Sequence, residues 1–311
     1  MASMEVSLTD LVSLEIHLGT LHTITRMSSG FSNDNYLLTA SRGKYRIRVP
    51  QYSSHSDHLA AEQAVLKWAS EKNTRVVPLL HLVPLPNGIY ASVFPFIDAD
   101  PTFDLHQEQL VYSAGRALAE FHRAVAGYSG KHPWKTLPES FHAEKADMNE
   151  LRNTINEQSV SEYADFWDAV ENLLFRMNKI GKQMNEQPYL SLPHLSCHGD
   201  YAPANLLTLQ AQVEGMIDLE CCRWAPRVHD VSTFLQAMQE DEGYKESMSD
   251  WFLNGYRSLI ELSEIEREWI PAFRMIRSLE AAKRHLNRVI HGEQQVHPGL
   301  VMYWDRITSK L

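Results

Sequence analysis

Amide and carboxylate side chains stand at the edges of two apolar runs in this sequence, where polar groups are tolerated only if a function needs them. Asp200 and Asn205 lie five positions apart, and Pro203 between them closes a tight loop. A strand predicted at 213–217 then brings the carboxylate of Asp218 to the same place. One oxygen can face a substrate hydroxyl while others bind a metal ion. These are the parts that metal-assisted phosphoryl transfer requires.

The polar residues around these positions form a motif in a fixed order: His198-Gly199-Asp200, then Asn205, then Asp218. This motif resembles the signature of the aminoglycoside phosphotransferase and choline kinase-like family, which are small-molecule kinases with a protein-kinase-like fold. The resemblance implies that Asp200 is the catalytic base and that His198 shapes the loop. It also implies that Asn205 and Asp218 hold the Mg²⁺ of an ATP or GTP complex. A lone His-Gly-Asp is a common turn, so the order and the spacing carry the resemblance.

Alternating apolar and polar residues in the first third of the chain predict a small antiparallel sheet with one main helix. The predicted elements are strands at 20–27, 35–40, 44–49, 76–84 and 89–94 and a helix at 58–72. The segment 28–33, between the first two strands, is rich in small residues. Such a loop is either a plain hairpin turn or a cover that directs backbone N–H groups at nucleotide phosphates. In the second interpretation Gly30, Ser32 and Asn33 contact the nucleotide.

The strand predicted at 44–49 carries apolar residues on one face and basic residues, including Arg48, on the other. In the family that this chain resembles, the end of this strand supplies the cation for the α- and β-phosphates. Protein kinases use Lys there, whereas this chain has Arg48, whose guanidinium can bind phosphate oxygens in pairs. The resemblance also implies an ion pair between Arg48 and Glu62. The alternatives are an edge-strand charge that prevents strand pairing and an ordinary solvated helix residue.

The segment 94–98 follows the last predicted strand, where the family has the hinge between its lobes. Exposed backbone groups there can bind an adenine edge while apolar neighbours sandwich the ring, which makes Phe94 and Phe96 candidate nucleotide-binding residues. We therefore expect an α+β, bilobal protein-kinase-like fold, with a small antiparallel-sheet N-lobe containing one main helix and a larger, mostly helical C-lobe. The expected N-terminal nucleotide-binding lobe spans 1–96. The C-terminal lobe, with the catalytic loop and the acceptor site, spans 97–311.

Apolar residues beyond position 107 recur every three or four positions, which is typical of helices. The predicted helices lie at 107–127, 162–185, 246–261 and 265–291. We expect His122 to be a packed core residue. By the resemblance, Asp230 begins another helix and braces the catalytic loop, and its local role is that of an N-cap. Glu220 and Asp230 are candidates for contact with the substrate or for support of the metal ligands. An acidic cluster at 240–246 is either solvated or attracts an amine.

The acceptor is expected to be a small molecule. A protein kinase needs an extended segment after its metal-binding Asp to hold a peptide, and here Asp230 follows Asp218 by about a dozen residues. The resemblance favours an ATP-dependent, or GTP-dependent, kinase that phosphorylates a hydroxyl of a hydroxylated amine or amino acid, such as a homoserine-, aminoglycoside- or choline-like compound. The alternatives are a protein Ser/Thr kinase and a catalytically inactive nucleotide-binding regulatory protein on the same fold.

Charge and composition exclude several other classes of protein. The formal net charge of −10 disfavours general binding to nucleic acid or to anionic membranes, which requires clustered Lys and Arg. Three cysteines, two of them adjacent, cannot form a disulfide framework. Residues 1–10 do not have the pattern of a signal peptide, and no apolar run has the length of a membrane span. These features predict a cytoplasmic enzyme, and they leave its oligomeric state open.

Overall fold

The computed structural model describes residues 6–7, 9–27, 33–50, 56–72, 74–85, 88–132, 136–139, 175–176 and 178–290, with backbone alone at 56–58 and 279–290. Its strands are β1 (Leu21–Arg26), β2 (Asn33–Ala40), β3 (Gly43–Pro50), β4 (His81–Pro84), β5 (Tyr90–Pro95), β6 (His194–Cys197), β7 (Leu206–Leu209), β8 (Gln212–Met216) and β9 (Arg223–Pro226). Its α-helices are α1 (Glu15–Leu18), α2 (Ser56–Ser70), α3 (Glu108–Val125), α4 (Gln187–Leu190), α5 (Val228–Gln239), α6 (Glu246–Arg257) and α7 (Glu264–Ile290).

The first five strands form one antiparallel sheet in the order β1-β2-β3-β5-β4. Arg48 of β3 lies opposite Asn35 of β2 and Ser92 of β5, so these three side chains share a face. Side chains alternate along a strand, so the residues between these positions lie on the other face, and this face is apolar. It carries Tyr36, Leu38, Ile47, Val49, Ala91 and Val93, which pack against Leu11, Leu14 and Leu18 of the preceding helical turns. The polar face of the sheet, with Arg48, is therefore not covered by this packing and can line the candidate active site.

The C-terminal part is built on α3, whose apolar stripe is buried along its whole length. This stripe consists of Leu110, Ala114, Ala117, Leu118, Phe121 and Val125. At the crossing of α3 with α6, a Cβ on Gly115 would lie 2.0 Å from the carbonyl oxygen of Phe252, and a Cβ on Gly255 would lie 2.0 Å from that of Tyr112. Glycine at both positions lets the two helix backbones touch. None of the helices among the described residues combines the length and apolar character needed to cross a membrane.

Two short antiparallel sheets of two strands each support the loops that carry the polar motif. β6 pairs with β9, from His194 opposite Pro226 to Cys197 opposite Arg223. β7 pairs with β8, with Leu206 opposite Met216. The loop after β6 and the loop after β8 therefore emerge side by side, and each presents polar residues where an apolar strand ends.

The segment between α2 and β4 leaves the N-terminal sheet and joins the hairpin of β7 and β8. Val76 forms a parallel bridge with Met216, Val77 N–H donates to Met216 O (3.0 Å), and Met216 N–H donates to Arg75 O (2.7 Å). The guanidinium of Arg75 donates to the carbonyl of Val213 and to Glu120 Oε2 (3.2 Å). The two lobes are thus connected here as well as by the chain that leaves β5.

One predicted strand differs from the observed one, and one predicted helix can be compared only in part. The strand expected at 76–84 is wrong in its first half, because β4 begins only at His81. Val76 and Val77 pair with β8 instead, and Pro78 lacks the N–H that would continue a ladder. For the helix expected at 162–185, residues 175–176 and 178–183 are helical, and the remaining positions up to 174, with 177, lie outside the described residues.

Candidate active site

The loop that carries Asp200 depends on a glycine. Gly199 has a φ of +84°, and a Cβ at this position would lie 2.0 Å from the carbonyl oxygen of Cys221. The left-handed backbone conformation and the lack of space both exclude a side chain. Because of this contact, the loop after β6 lies directly against the turn 219–221 that follows β8.

His198 links the two loops through its imidazole ring. The ring is fully buried, its Nδ1 accepts the N–H of Asp200 (3.3 Å), and its Nε2 lies 3.0 Å from the carbonyl oxygen of Ile217. These partners assign the proton to Nε2, which donates to that carbonyl. With both ring nitrogens bound, His198 positions the residue that precedes Asp218 and does not reach the cleft.

Asp230 binds the backbone of the same loop. Its carboxylate accepts the N–H of His198 (2.7 Å), the N–H of Gly199 (2.9 Å) and a hydrogen bond from Nε2 of His122 (3.0 Å). Burial opposes ionisation of this group, but His122 and the neighbouring ring of His229 together outweigh it, and the pKa of Asp230 is held far below its ordinary value. The hydroxyl of Tyr256, on α6, lies 2.8 Å from the remaining ring nitrogen of His122.

The expectation that Asp230 is an N-cap is wrong. Helix α5 begins at Val228, because the chain passes from β9 directly into helical conformation at Arg227, and Asp230 is therefore the third helical residue. Its side chain turns away from its own helix to the catalytic loop. His122 is a buried core residue, as expected, and it is also part of this brace.

The side chain of Asn205 contacts Asp200, and its backbone contacts the residue that precedes Asp218. The side-chain amide of Asn205 donates to the carbonyl of Asp200 (2.8 Å) and to its Oδ2 (3.3 Å), while the backbone carbonyl of Asn205 accepts the N–H of Ile217 (3.0 Å). Asp218 follows at once in a left-handed conformation, with φ of 69° and ψ of 50°. Since the amide nitrogen of Asn205 is held by Asp200, its side-chain oxygen is left for a cation. An amide oxygen beside a carboxylate is a donor set that suits Mg²⁺.

Arg48 joins the polar face of the sheet to this cluster. Its Nη2 lies 2.7 Å from Glu62 Oε2, which is the expected ion pair, and its Nη1 lies 3.1 Å from Asp218 Oδ1. Arg48 is only 2% exposed. Burial alone lowers the pKa of a guanidinium, but the charges of Glu62 and Asp218 outweigh it and raise the pKa of Arg48. Arg48 thus remains a buried cation between two carboxylates from different parts of the chain.

Glu220 and Asn33 form a second contact between the lobes. The amide of Asn33, the first residue of β2, donates to Glu220 Oε2 (3.0 Å). Burial and the neighbouring charge of Asp218 raise the pKa of Glu220. Gly30 and Ser32, which precede Asn33 in the predicted phosphate-binding loop, lie outside the described residues.

The two candidate aromatic residues differ in their surroundings. Phe94 is 7% exposed, and the guanidinium of Arg48 lies over its ring, 5.4 Å from the centroid. Phe96 is half-buried, and its N–H donates to the carbonyl of Lys44 (3.1 Å). Phe94 therefore packs against the buried guanidinium of Arg48, whereas Phe96 follows the last residue of β5.

One cation at this site was not predicted from the sequence. Nη2 of Arg277, on α7, lies 2.5 Å from Oδ1 of Asp200. Nothing local in the sequence distinguishes this arginine from the other basic residues of α7, because its role depends on a contact between distant parts of the chain. A second unexpected pair is Arg46 with Asn35, whose Oδ1 accepts from Arg46 Nε at 2.9 Å on the polar face of the sheet.

Comparison with known proteins gives a consistent result. A family model described as the phosphotransferase enzyme family matches residues 23–262. A homoserine kinase of Phenylobacterium zucineum (strain HLK1) is 21% identical over 276 residues, which cover 83% of this chain and 77% of that protein.

Solved structures are similar over almost the whole chain. An amicoumacin kinase in complex with AMP-PNP, Ca²⁺ and Ami has a TM-score of 0.72 at 15% identity, covering 96% of this chain and 93% of that chain. A spectinomycin phosphotransferase in complex with ADP and spectinomycin has a TM-score of 0.68 at 14% identity, covering 97% and 93%. At these identities the likeness establishes the fold. The bilobal α+β fold predicted from the sequence is therefore confirmed.

Proposed function

This chain belongs to the phosphotransferase enzyme family, as its motif predicted, and we propose that it transfers the γ-phosphoryl group of ATP or GTP to a hydroxyl of a small hydroxylated amine or amino acid. The observation that carries this proposal is the meeting of four groups from distant parts of the chain. They are the base Asp200, the oxygen ligands Asn205 and Asp218, and the buried cation Arg48. The family relationship to homoserine kinases supports the acceptor class.

The nucleotide is proposed to lie between the polar face of the sheet and the loop after β8. Arg48 is held at one side by Glu62 and would bind the α- and β-phosphates. Asn205 and Asp218 would hold Mg²⁺, which supplies charge neutralisation for the phosphates when bound. The loop with Gly30, Ser32 and Asn33 would cover the phosphates, and Phe96 would stand near the base. In this proposal the nucleotide-binding lobe is 1–96, since β5 ends at Pro95, and the acceptor lobe is 97–311.

Asp200 is the proposed base. Its carboxylate orients the acceptor hydroxyl in line with the γ-phosphorus and accepts the hydroxyl proton as the new O–P bond forms and the bond to the leaving nucleoside diphosphate breaks. Asn205 holds one oxygen of this carboxylate, and His198 accepts the backbone N–H of the same residue. The loop is thus rigid before substrate arrives, and such preorganisation is where this class of reaction gains most of its rate.

The segment after Asp218 favours a small acceptor over a protein. It is fully ordered as the turn 219–221 and strand β9, and it enters α5 at Val228. No extended platform for a peptide is left in this part of the structure. The inactive regulatory alternative is disfavoured because the chain retains all the residues proposed as base, metal ligands and phosphate cation. A cytoplasmic location fits an ATP-using enzyme.

The test is phosphoryl transfer by Asp200→Asn. We expect kcat to fall by roughly 10²–10⁴-fold, because the amide cannot take the proton, while the Kd for Mg·ATP changes only a few-fold. ADP release is measured by a coupled assay with L-homoserine, amino alcohols and aminoglycosides as acceptors. Asp250→Asn, at an exposed position of α6, is the matched control. Full activity in Asp200→Asn would contradict the assignment, and no transfer by the unmodified enzyme to any acceptor would contradict the proposed function.

A further inference from the structure

We propose that Arg46 is a second phosphate-binding residue of the nucleotide site, and that its guanidinium contacts the inner phosphates, which a nucleoside diphosphate retains after transfer. This inference rests on the proposed function, which puts a nucleotide against the polar face of the sheet. It is carried by the position of Arg46 beside Arg48 and by the different partners of the two guanidiniums.

Arg46 lies on the polar face of the sheet, next to Arg48. Side chains alternate along β3, so residues two positions apart share a face. Arg46 is opposite Phe94, which is two positions nearer to the end of β5 than the partner of Arg48. In the proposed arrangement the base lies beyond this end of β5, and the γ-phosphate lies towards Asp200. Arg46 is therefore on the nucleoside side of Arg48, where the inner phosphates would lie.

The partner of Arg46 is a neutral amide. Its Nε donates to Oδ1 of Asn35 on β2 (2.9 Å), and Nδ2 of Asn35 lies 3.4 Å from the carbonyl oxygen of Asn33. The residue of β2 opposite Arg46 is Leu37, so the contact with Asn35 draws its side chain towards the start of β2. The predicted phosphate-binding loop ends there. This contact uses Nε, and among the described residues no carboxylate forms an ion pair with Arg46.

The charges of the two arginines are compensated differently. Glu62 and Asp218 both contact the guanidinium of Arg48, and they cancel much of its attraction for an anion. Burial lowers the pKa of Arg46, and the charge of Asp218, which it does not contact, fails to offset this effect. A partly buried cation without a close counter-ion is costly, and an anionic ligand removes that cost. Because the terminal nitrogens of a guanidinium bind phosphate oxygens in pairs, a phosphate is a suitable ligand.

The test is equilibrium binding in the presence of Mg²⁺ and without an acceptor. Calorimetry measures Kd for adenosine, ADP and a non-hydrolysable ATP analogue, and for the corresponding guanine compounds. In the series that binds, we expect Arg46→Gln to raise Kd for the diphosphate and the triphosphate analogue equally, by about 10–100-fold, the range of a hydrogen bond to a charged group. Kd for the nucleoside should not change.

Two further variants make this test specific. Arg46→Lys keeps the charge without the planar fork, so we expect a smaller loss with the same pattern, and this variant carries the test if Arg46→Gln does not fold. Arg42→Gln is the matched control, because Arg42 is an exposed arginine in the turn before β3 that donates to the carbonyl of His17 (2.8 Å). It should leave every Kd unchanged.

Three results would overturn the inference. Equal losses for nucleoside and diphosphate would assign Arg46 to the base, a loss confined to the triphosphate analogue would assign it to the γ-phosphate, and unchanged binding would remove it from the site. Comparison with transfer activity separates this inference from the proposed function. Transfer by an enzyme whose affinity for the diphosphate does not depend on Arg46 would sustain the function and reject the inference. Binding of the diphosphate that depends on Arg46, without transfer to any acceptor, would do the reverse.

Discussion

Arg48 is a charge that the fold can keep buried only while both of its carboxylate neighbours are present. Glu62 reaches it from α2 and Asp218 from the loop after β8, at 2.7 Å and 3.1 Å. Removing one member of such a group leaves the others without compensation, which costs more than the group contributes when intact. Under the proposed function the residue serves both stability and nucleotide binding, and the two roles can be separated by substitution.

We expect Arg48→Met to lower the free energy of unfolding by about 3–5 kcal/mol, since it leaves Glu62 buried without its main partner. The double variant Arg48→Met/Glu62→Leu should recover much of this stability and none of the affinity for ATP. Urea denaturation and ATP titration measure the two effects. Arg123→Met, at an exposed position of α3, is the control. A double variant as unstable as the single one would show that burial of Glu62 is not the cause.

The residues of the site that belong to a short sequence motif could be predicted from the sequence. Asp200, Asn205 and Asp218 stand where apolar runs end, and such polar residues are conspicuous in a sequence. Arg277 was not predictable, because an arginine on an amphipathic helix is ordinary until the fold places it 2.5 Å from a carboxylate. Asp230 was recognised, but its local role was misassigned, since its partners come from the catalytic loop and from α3.

At the scale of elements, the contact of α3 with α6 determines how firmly the loop is held. Gly255 lies against the backbone of Tyr112, and the next residue, Tyr256, approaches His122 within 2.8 Å. His122 in turn holds the Asp230 that binds the catalytic loop. A change in the spacing of two helices is thereby transmitted to the base through a chain of hydrogen bonds.

We expect Gly255→Ala to destabilise the protein by about 1–3 kcal/mol, because a methyl group 2.0 Å from a carbonyl oxygen forces the helices apart. This exceeds the gain of about 1 kcal/mol from the better helix propensity of alanine. Activity should fall with it, as the Tyr256 to His122 contact lengthens. Thermal unfolding and kcat are measured beside Gly127→Ala, where the nearest atom is an ordinary 3.8 Å away. A stabilised Gly255→Ala variant would contradict the close crossing.

Helices and strands with clear periodicity were predicted well, because each depends on its own residues. Helix α3 and strands β2 and β3 agree with the patterns at 107–127, 35–40 and 44–49. The pairing of 76–77 with β8 was not predictable. Two apolar residues beside a proline fit either sheet edge, and the choice is made by long-range packing.

For the molecule as a whole, one buried histidine and three partly buried ones make stability depend on pH. Burial lowers the pKa of His81, His122, His132 and His194 in the folded state. For His122 the hydrogen bond to Asp230 opposes this effect without cancelling it. Below the ordinary histidine pKa, the unfolded chain therefore binds more protons at these histidines than the folded chain does.

We expect the free energy of unfolding to be highest above the ordinary histidine pKa of about 6.5 and to decrease as the pH falls below it. Each histidine contributes at most about 1.4 kcal/mol per pH unit to the slope. Denaturant unfolding between pH 7.5 and 5.5 measures this, and His122→Gln should reduce the slope by up to one proton. His22→Gln, on an exposed part of β1, controls for the substitution itself. Stability that is constant over this range would contradict the prediction.

The hydrogen bonds between residues 75–77 and β8 also have a mechanical consequence. With the chain crossing after β5, they attach the backbone of the N-terminal part to the helical body at two separate points, in addition to side-chain contacts such as Arg48 to Asp218. A body fastened at two points rotates about the line through them and cannot swing open on a single pivot. If nucleotide binds between the sheet and the helical body as proposed, its admission and release should involve a rotation of the sheet, in which β1, at the edge opposite β4, moves furthest.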